Sequence, residues 1–108
     1  MVLHLAIYFS KTIPDIGPVI QQVSFNTGLN LVYDQHRLSL VSEELGVSIG
    51  LYEGEPKEYC VTIFDVHNFK IMYLVDATIY ALVELGGSYD GELPKWAGLD
   101  WELAKLLM

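Results

Sequence analysis

The chain has little with which to staple itself covalently, cross a membrane or hold a phosphate. A single cysteine, Cys60, stands in 108 residues. It excludes an internal disulfide, so the fold must rest on core packing, as suits a reducing compartment. No apolar run reaches the ~18–20 residues of a membrane-crossing helix. The longest candidate, Ile71 to Leu85, is broken by Asp76 and Glu84. The opening MVLHLAIYF has neither a basic leader nor a small-residue cleavage site, which points away from a signal peptide and toward the cytoplasm. The nine glycines are scattered, with no phosphate-cradling loop, and no GxSxG nucleophile elbow occurs. Cys60 lies inside the apolar run YCVTIF, where a thiol is inert.

Bases are scarce too. Six Lys and Arg face fourteen Asp and Glu, a net charge of −8. A surface of that sign repels phosphates, which argues against nucleic acid as a partner. The excess is concentrated in two stretches. Residues 43–58 hold five acids against Lys57, and residues 84–102 hold five against Lys95, while four acids and four bases make up the rest. Such clusters keep a protein soluble, and they also speed its encounter with basic partners.

Apolar residues form 52% of the chain, enough for one folded domain over residues 1–108. VLHLAIYF alternates between two faces and reads as a strand. A helix follows, capped by Thr12 or Asp15, with Ile16, Val19, Ile20 and Val23 inward and Gly28 as its stop. Strand-like segments then run from Leu29 to Asp34, Leu38 to Ser42, Val47 to Tyr52 and Glu58 to Val66, joined by short turns that favour hairpins. EYCVTIFDV is apolar on both faces, as expected of a strand that lies centrally or is covered on both sides. Asn68 and Gly86 bracket a long helix with Met72, Val75, Ile79, Leu82 and Val83 inward. A last helix is expected from about Lys95, burying Trp96, Leu99, Leu103 and Leu106, with Trp101 toward the edge of that stripe. The expected fold is α+β, order β-α-β-β-β-β-α-α, with a five-stranded, mostly antiparallel sheet and helices on one face.

Two patterns could carry chemistry. Asp34 with His36, and Asp65 with His67, repeat a D-x-H spacing that puts both side chains on one side of a strand. If the two strand ends were neighbours, the four groups would offer a mixed N and O metal site. The alternative is that they cap a turn and a helix. On the long helix, Phe69, Tyr73, Asp76, Tyr80 and Glu84 share a face opposite the aliphatic stripe. Tyrosines beside acids suit a gripping surface, and the bend carrying Tyr89, Asp90 and Glu92 extends it. Edge tyrosines with their hydroxyls in water are the plainer reading.

YLVDATIYALVELGG followed by LPKWAGLDWELAK, with a looser likeness at NTGLNLVYD, resembles the C-terminal half of small acidic bacterial proteins of the toxin-immunity kind. The likeness spans about the last third of the chain and brings no catalytic motif or cofactor. It implies a non-enzymatic protein that occludes a basic protein partner with its acidic, Tyr-rich face, here Tyr73, Asp76, Tyr80, Glu84, Tyr89, Asp90 and Glu92. A small metal-binding protein or metal-dependent enzyme using the D-x-H pairs is the competing expectation. A structural subunit pairing as a homodimer through an open sheet edge is another.

Overall fold

The alternating start of the chain forms strand β1 (Leu3–Tyr8), and Asp15 begins helix α1 (Ile16–Thr27). Pro18 is tolerated in α1 because an amide in the first turn has no partner inside the helix. Gly28 closes it in the left-handed region, its N–H donating to the Ser24 carbonyl at 2.9 Å. Three hairpins join β2 (Leu31–Asp34), β3 (Ser39–Ser42), β4 (Val47–Gly54) and β5 (Glu58–Ile63). Helix α2 (Phe69–Glu84) starts where the Asn68 side chain accepts from the Lys70 and Ile71 amides. Helix α3 (Trp101–Leu107) ends the order expected from the sequence. The structure is a computed structural model describing residues 2–94 and 97–107.

The five strands form one antiparallel sheet, ordered β1-β5-β4-β3-β2. Leu3 stands opposite Ile63 and Tyr8 opposite Glu58, so β1 adds to the far side of the meander. Strand polarity then sorts the connections. The ends of β1, β2 and β4 lie at one end of the sheet, which we call the Tyr8 end, and the end of β5 lies at the other.

One sheet face packs against the helices. Ile7, Tyr59, Val61, Leu51, Ile49 and Leu40 meet Val19 and Val23 of α1 and Leu74, Val75, Ile79 and Leu82 of α2. The other face meets no helix among the described residues. There Gly50 faces Thr62, and the Thr62 hydroxyl hydrogen-bonds the His4 ring at 3.1 Å. Strand β5 is interior to the sheet, the first of the two positions expected for EYCVTIFDV, and meets the helices on one face only. The two-sided cover, the other expectation, does not form among the described residues, because Glu58, Cys60 and Thr62 line the face away from the helices.

A second cluster of Leu29, Leu45, Tyr73, Trp101 and Ala104 seals the far flank of α2. The last helix differs from expectation. It starts at Trp101, after Gly98 at φ 83°, with the Asp100 carboxylate accepting from the Leu103 amide at 2.8 Å. That start buries Trp101 and Ala104 and leaves Leu103 and Leu106 51% and 80% exposed. The expected start at Lys95 and the inward Trp96 lie outside the described residues.

Gly87 shows how tightly the loop after α2 is drawn in. A Cβ there would stand 2.5 Å from Ile7 Cγ2 and 2.8 Å from the Leu82 carbonyl. Gly87→Ala should lose about 1–3 kcal/mol in urea unfolding. Gly17→Ala, where nothing lies within 4 Å, should gain up to ~1 kcal/mol. Equal stabilities for the two variants would contradict this packing.

Candidate functional site

The D-x-H pairs do not meet. Asp34 ends β2 at the Tyr8 end, whereas Asp65 follows β5 at the opposite end, with β3 and β4 between. Each aspartate serves its own turn. Asp34 Oδ1 accepts from the His36 and Arg37 amides at 2.9 and 3.2 Å, and Asp65 Oδ1 from the His67 amide at 2.9 Å. Among the described residues no three His, Cys, Asp or Glu side chains gather to hold a metal ion. The convergence the metal reading needs is lost because an odd number of hairpins separates β2 from β5, so the two strands run in opposite directions.

The tyrosine face of α2 needs a larger correction. Tyr73 is 1% exposed, its ring 5.0 Å from Trp101 and its hydroxyl donating to the Leu99 carbonyl at 2.8 Å. Burial, and then the nearby Asp100, push its pKa up. Tyr80 is half-buried beside Gly98, where a Cβ would come within 2.8 Å of its ring. The segment leading into α3 therefore lies over this face, and Tyr73 offers no surface to a partner. Asp76, between the two tyrosines, is half-buried, and no hydrogen bond or ion pair holds its carboxylate among the described residues. Burial raises its pKa to about 6.

The rest of the expected surface lies elsewhere. Tyr8 and Ser88 exchange backbone hydrogen bonds at 3.1 and 2.8 Å, which lays the loop after α2 along the outer edge of β1. Asp90 and Glu92 are exposed there, with Tyr89 half-buried against the core. Glu84 accepts from Asn26 at 2.5 Å and from Gln22 at 3.4 Å, tying α2 to α1. The β4–β5 turn, with Glu53, Glu55 and Glu58, sits at the same end, since Gly54 pairs with Glu58 and Glu58 with Tyr8. The one ion pair among the described residues, Lys105 with Glu102 at 3.0 Å, is on α3. Among the described residues, the carboxylates of the Tyr8 end are thus not neutralised by an ion pair.

Two of the open clefts lie beside these residues. The larger, about 830 Å³, has Leu45, Phe69 and Trp101 in its apolar wall and Glu44, Lys70 and Lys105 at its rim. The other, about 470 Å³, lies at the Tyr8 end beneath the start of α1, among Asp15, Ile16, Tyr33, Leu38, Tyr52, Glu53 and Tyr59. Burial, then the Glu53 charge, holds the Tyr59 hydroxyl in its neutral form, and burial does the same for Tyr33. The sequence gives no hint of this second group, because its members come from four separate segments. Its one sequence-level trace is the Glu53–Tyr59 pairing, visible only once the hairpin register is known.

Asp76 makes stability depend on pH. An unfolded Asp titrates near ~3.9, so between about pH 4 and 6 the folded state binds more protons than the unfolded one. Its contribution is therefore complete below pH 4 and is lost as pH rises to 6. Asp76→Asn should remove that part of the slope and add about 1 kcal/mol at pH 7, well below the full value of the shift because the group is partly solvated. Urea unfolding of both proteins from pH 4 to 8 checks this. Parallel curves would contradict it.

Comparison with known proteins finds no matching family model, no similar curated protein and no similar solved structure.

Proposed function

We propose that the chain is a non-enzymatic, acidic protein-binding domain that occludes a basic protein partner, in the manner of an immunity-type inhibitor. The observation that supports this most is the gathering of acids at the Tyr8 end. Asp15, Asp34, Glu53, Glu55, Glu58, Glu84, Asp90 and Glu92 stand there against Lys11, Arg37 and Lys57. Among the described residues, eight carboxylates against three bases make a local field that steers cations and cationic surfaces inward. Complementary charge raises the association rate and sets the orientation of docking.

The contact surface is narrower than the helix face suggested by the sequence. Glu84, Tyr89, Asp90 and Glu92 remain on it, with Tyr80 at its border. Tyr73 and Asp76 serve the interior instead. Tyr89 is the anchor in this arrangement: its ring is seated against the core, so little rotamer freedom is lost when a partner covers it. The acids around it supply steering and specificity.

The test starts with cross-linking in the cells that make the protein and identification of what is captured. Binding of that partner is then measured across salt concentrations for the wild type and for Asp90→Lys with Glu92→Lys. The expected partner is basic. The double variant should bind it at least ~10-fold more weakly, about 1.4 kcal/mol, with a shallower salt dependence. An acidic partner, or a variant with unchanged affinity and salt slope, would remove this reading.

A further inference from the structure

We infer that the cleft beneath the start of α1 binds an organic cation, a primary ammonium or a guanidinium group on a short apolar stem. The chemistry of its wall carries the argument. Its polar side chains among the described residues are the carboxylates of Asp15 and Glu53 and the hydroxyls of Tyr33, Tyr52 and Tyr59, and all of these but Tyr52 are left with acceptor capacity alone. The Tyr59 hydroxyl donates to the Pro14 carbonyl at 2.6 Å and the Tyr33 hydroxyl to the Leu51 carbonyl at 2.5 Å. Both of these phenol protons are committed, and since Tyr59 is 0% exposed it is the half-buried Tyr33 hydroxyl that can still offer a lone pair to a guest. Glu53 Oε1 stands 3.4 Å from the Tyr59 hydroxyl. Asp15 precedes α1 but makes no side-chain capping bond, which leaves its carboxylate available. Among the described residues, no Lys, Arg or His lines the cleft.

An anion is rejected by two carboxylates. A neutral guest would cover those carboxylates without replacing their water, at a desolvation cost. A bare metal ion is a poor fit, because no three metal-ligating side chains converge among the described residues. An ammonium or guanidinium satisfies the two carboxylates and the Tyr33 hydroxyl, while its stem rests on Ile16 and Leu38 and against the Tyr33 ring, an aromatic face that attracts cations. The volume, about 470 Å³, lies in the range of small-ligand sites. Leu38 adds an independent mark. It holds φ 52° and leaves 46% of its surface exposed at the cleft. A left-handed Leu is costly in backbone energy, and such residues concentrate at functional positions.

The site goes beyond the protein-partner reading, since it would take a free amine as well as a Lys or Arg side chain. Its test uses small probes on the isolated chain and so can fail or succeed separately. Amide chemical shifts are followed in a titration with n-butylammonium and, in parallel, n-butanol. Saturable shifts around Ile16, Tyr33, Glu53 and Tyr59 are expected with the ammonium and not with the alcohol. Glu53→Gln and Asp15→Asn, both at exposed positions, should each weaken the ammonium roughly fivefold while leaving the rest of the spectrum in place. No saturable shift, equal response to the alcohol, or undiminished binding by both variants would overturn the site. A blocked Arg-containing tripeptide and spermidine then separate the two sources of cation, the tighter ligand naming the source.

Discussion

Helix α2 can be apolar around most of its circumference only because something covers every side of it. Ile71, Leu74, Val75, Ala77, Thr78, Ile79, Ala81 and Leu82 are all buried, and Tyr73 with them. Fully burying each large aliphatic side chain is worth about 1.5–3 kcal/mol, so α2 is the largest single contributor to the core. The sheet takes one side and α1 the next, with Glu84 tied to Asn26 and Gln22. The third side would face water if Trp101 and Ala104 did not close over Tyr73. Gly98 brings the chain across Tyr80, and Asp100 then starts the covering helix. The same closure strands Asp76 half-buried, which ties this part of the molecule to pH.

The antiparallel order has a consequence for charge. A meander returns alternate turns to the same end, so the β4–β5 turn lies with the end of β1 rather than with the β3–β4 turn. The Tyr8–Ser88 bridge brings in the loop after α2. Acid runs some thirty residues apart in sequence are thereby joined, while Glu43 and Glu44 go to the opposite end beside the Phe69 cleft. The cation cleft lies within the same acidic end, where the surrounding field concentrates its ligand before any contact is made. The sheet face away from the helices contributes little to either role, being lined with Gly50, Thr62, Ala6 and Cys60. Burial, then Glu58, raises the Cys60 pKa and keeps its thiol protonated and unreactive.

What the sequence made legible was local. Asn68 as a cap, Gly28 as a stop and the three hairpins follow from short-range chemistry that needs no knowledge of distant contacts. The fold class and element order follow from those. The environment of Tyr73 was not legible, because it depends on where the last helix begins, and that is settled by Gly98 and Asp100 some twenty-five residues away. Spacing alone put Tyr73, Asp76 and Tyr80 on one face correctly, but it could not say that the chain returns over them. The D-x-H pairs misled for a related reason: a two-residue motif fixes a local turn and carries no information about strand direction. Asp15, Tyr33, Glu53 and Tyr59 were invisible as a group, since only the register of β4 against β5 and the crossing of α1 bring them together.

The concentration of negative potential at the Tyr8 end can be measured without knowing any partner. Paramagnetic cosolutes of equal size and opposite charge broaden amide signals in proportion to the local potential at each site. The ratio of cationic to anionic effect should be largest at residues 53–58 and 86–92 and smaller along the sheet face away from the helices, and added salt should compress the difference. A ratio that is uniform over the surface, or largest at the β3–β4 turn, would contradict the electrostatic organisation from which both the binding surface and the cation cleft are argued.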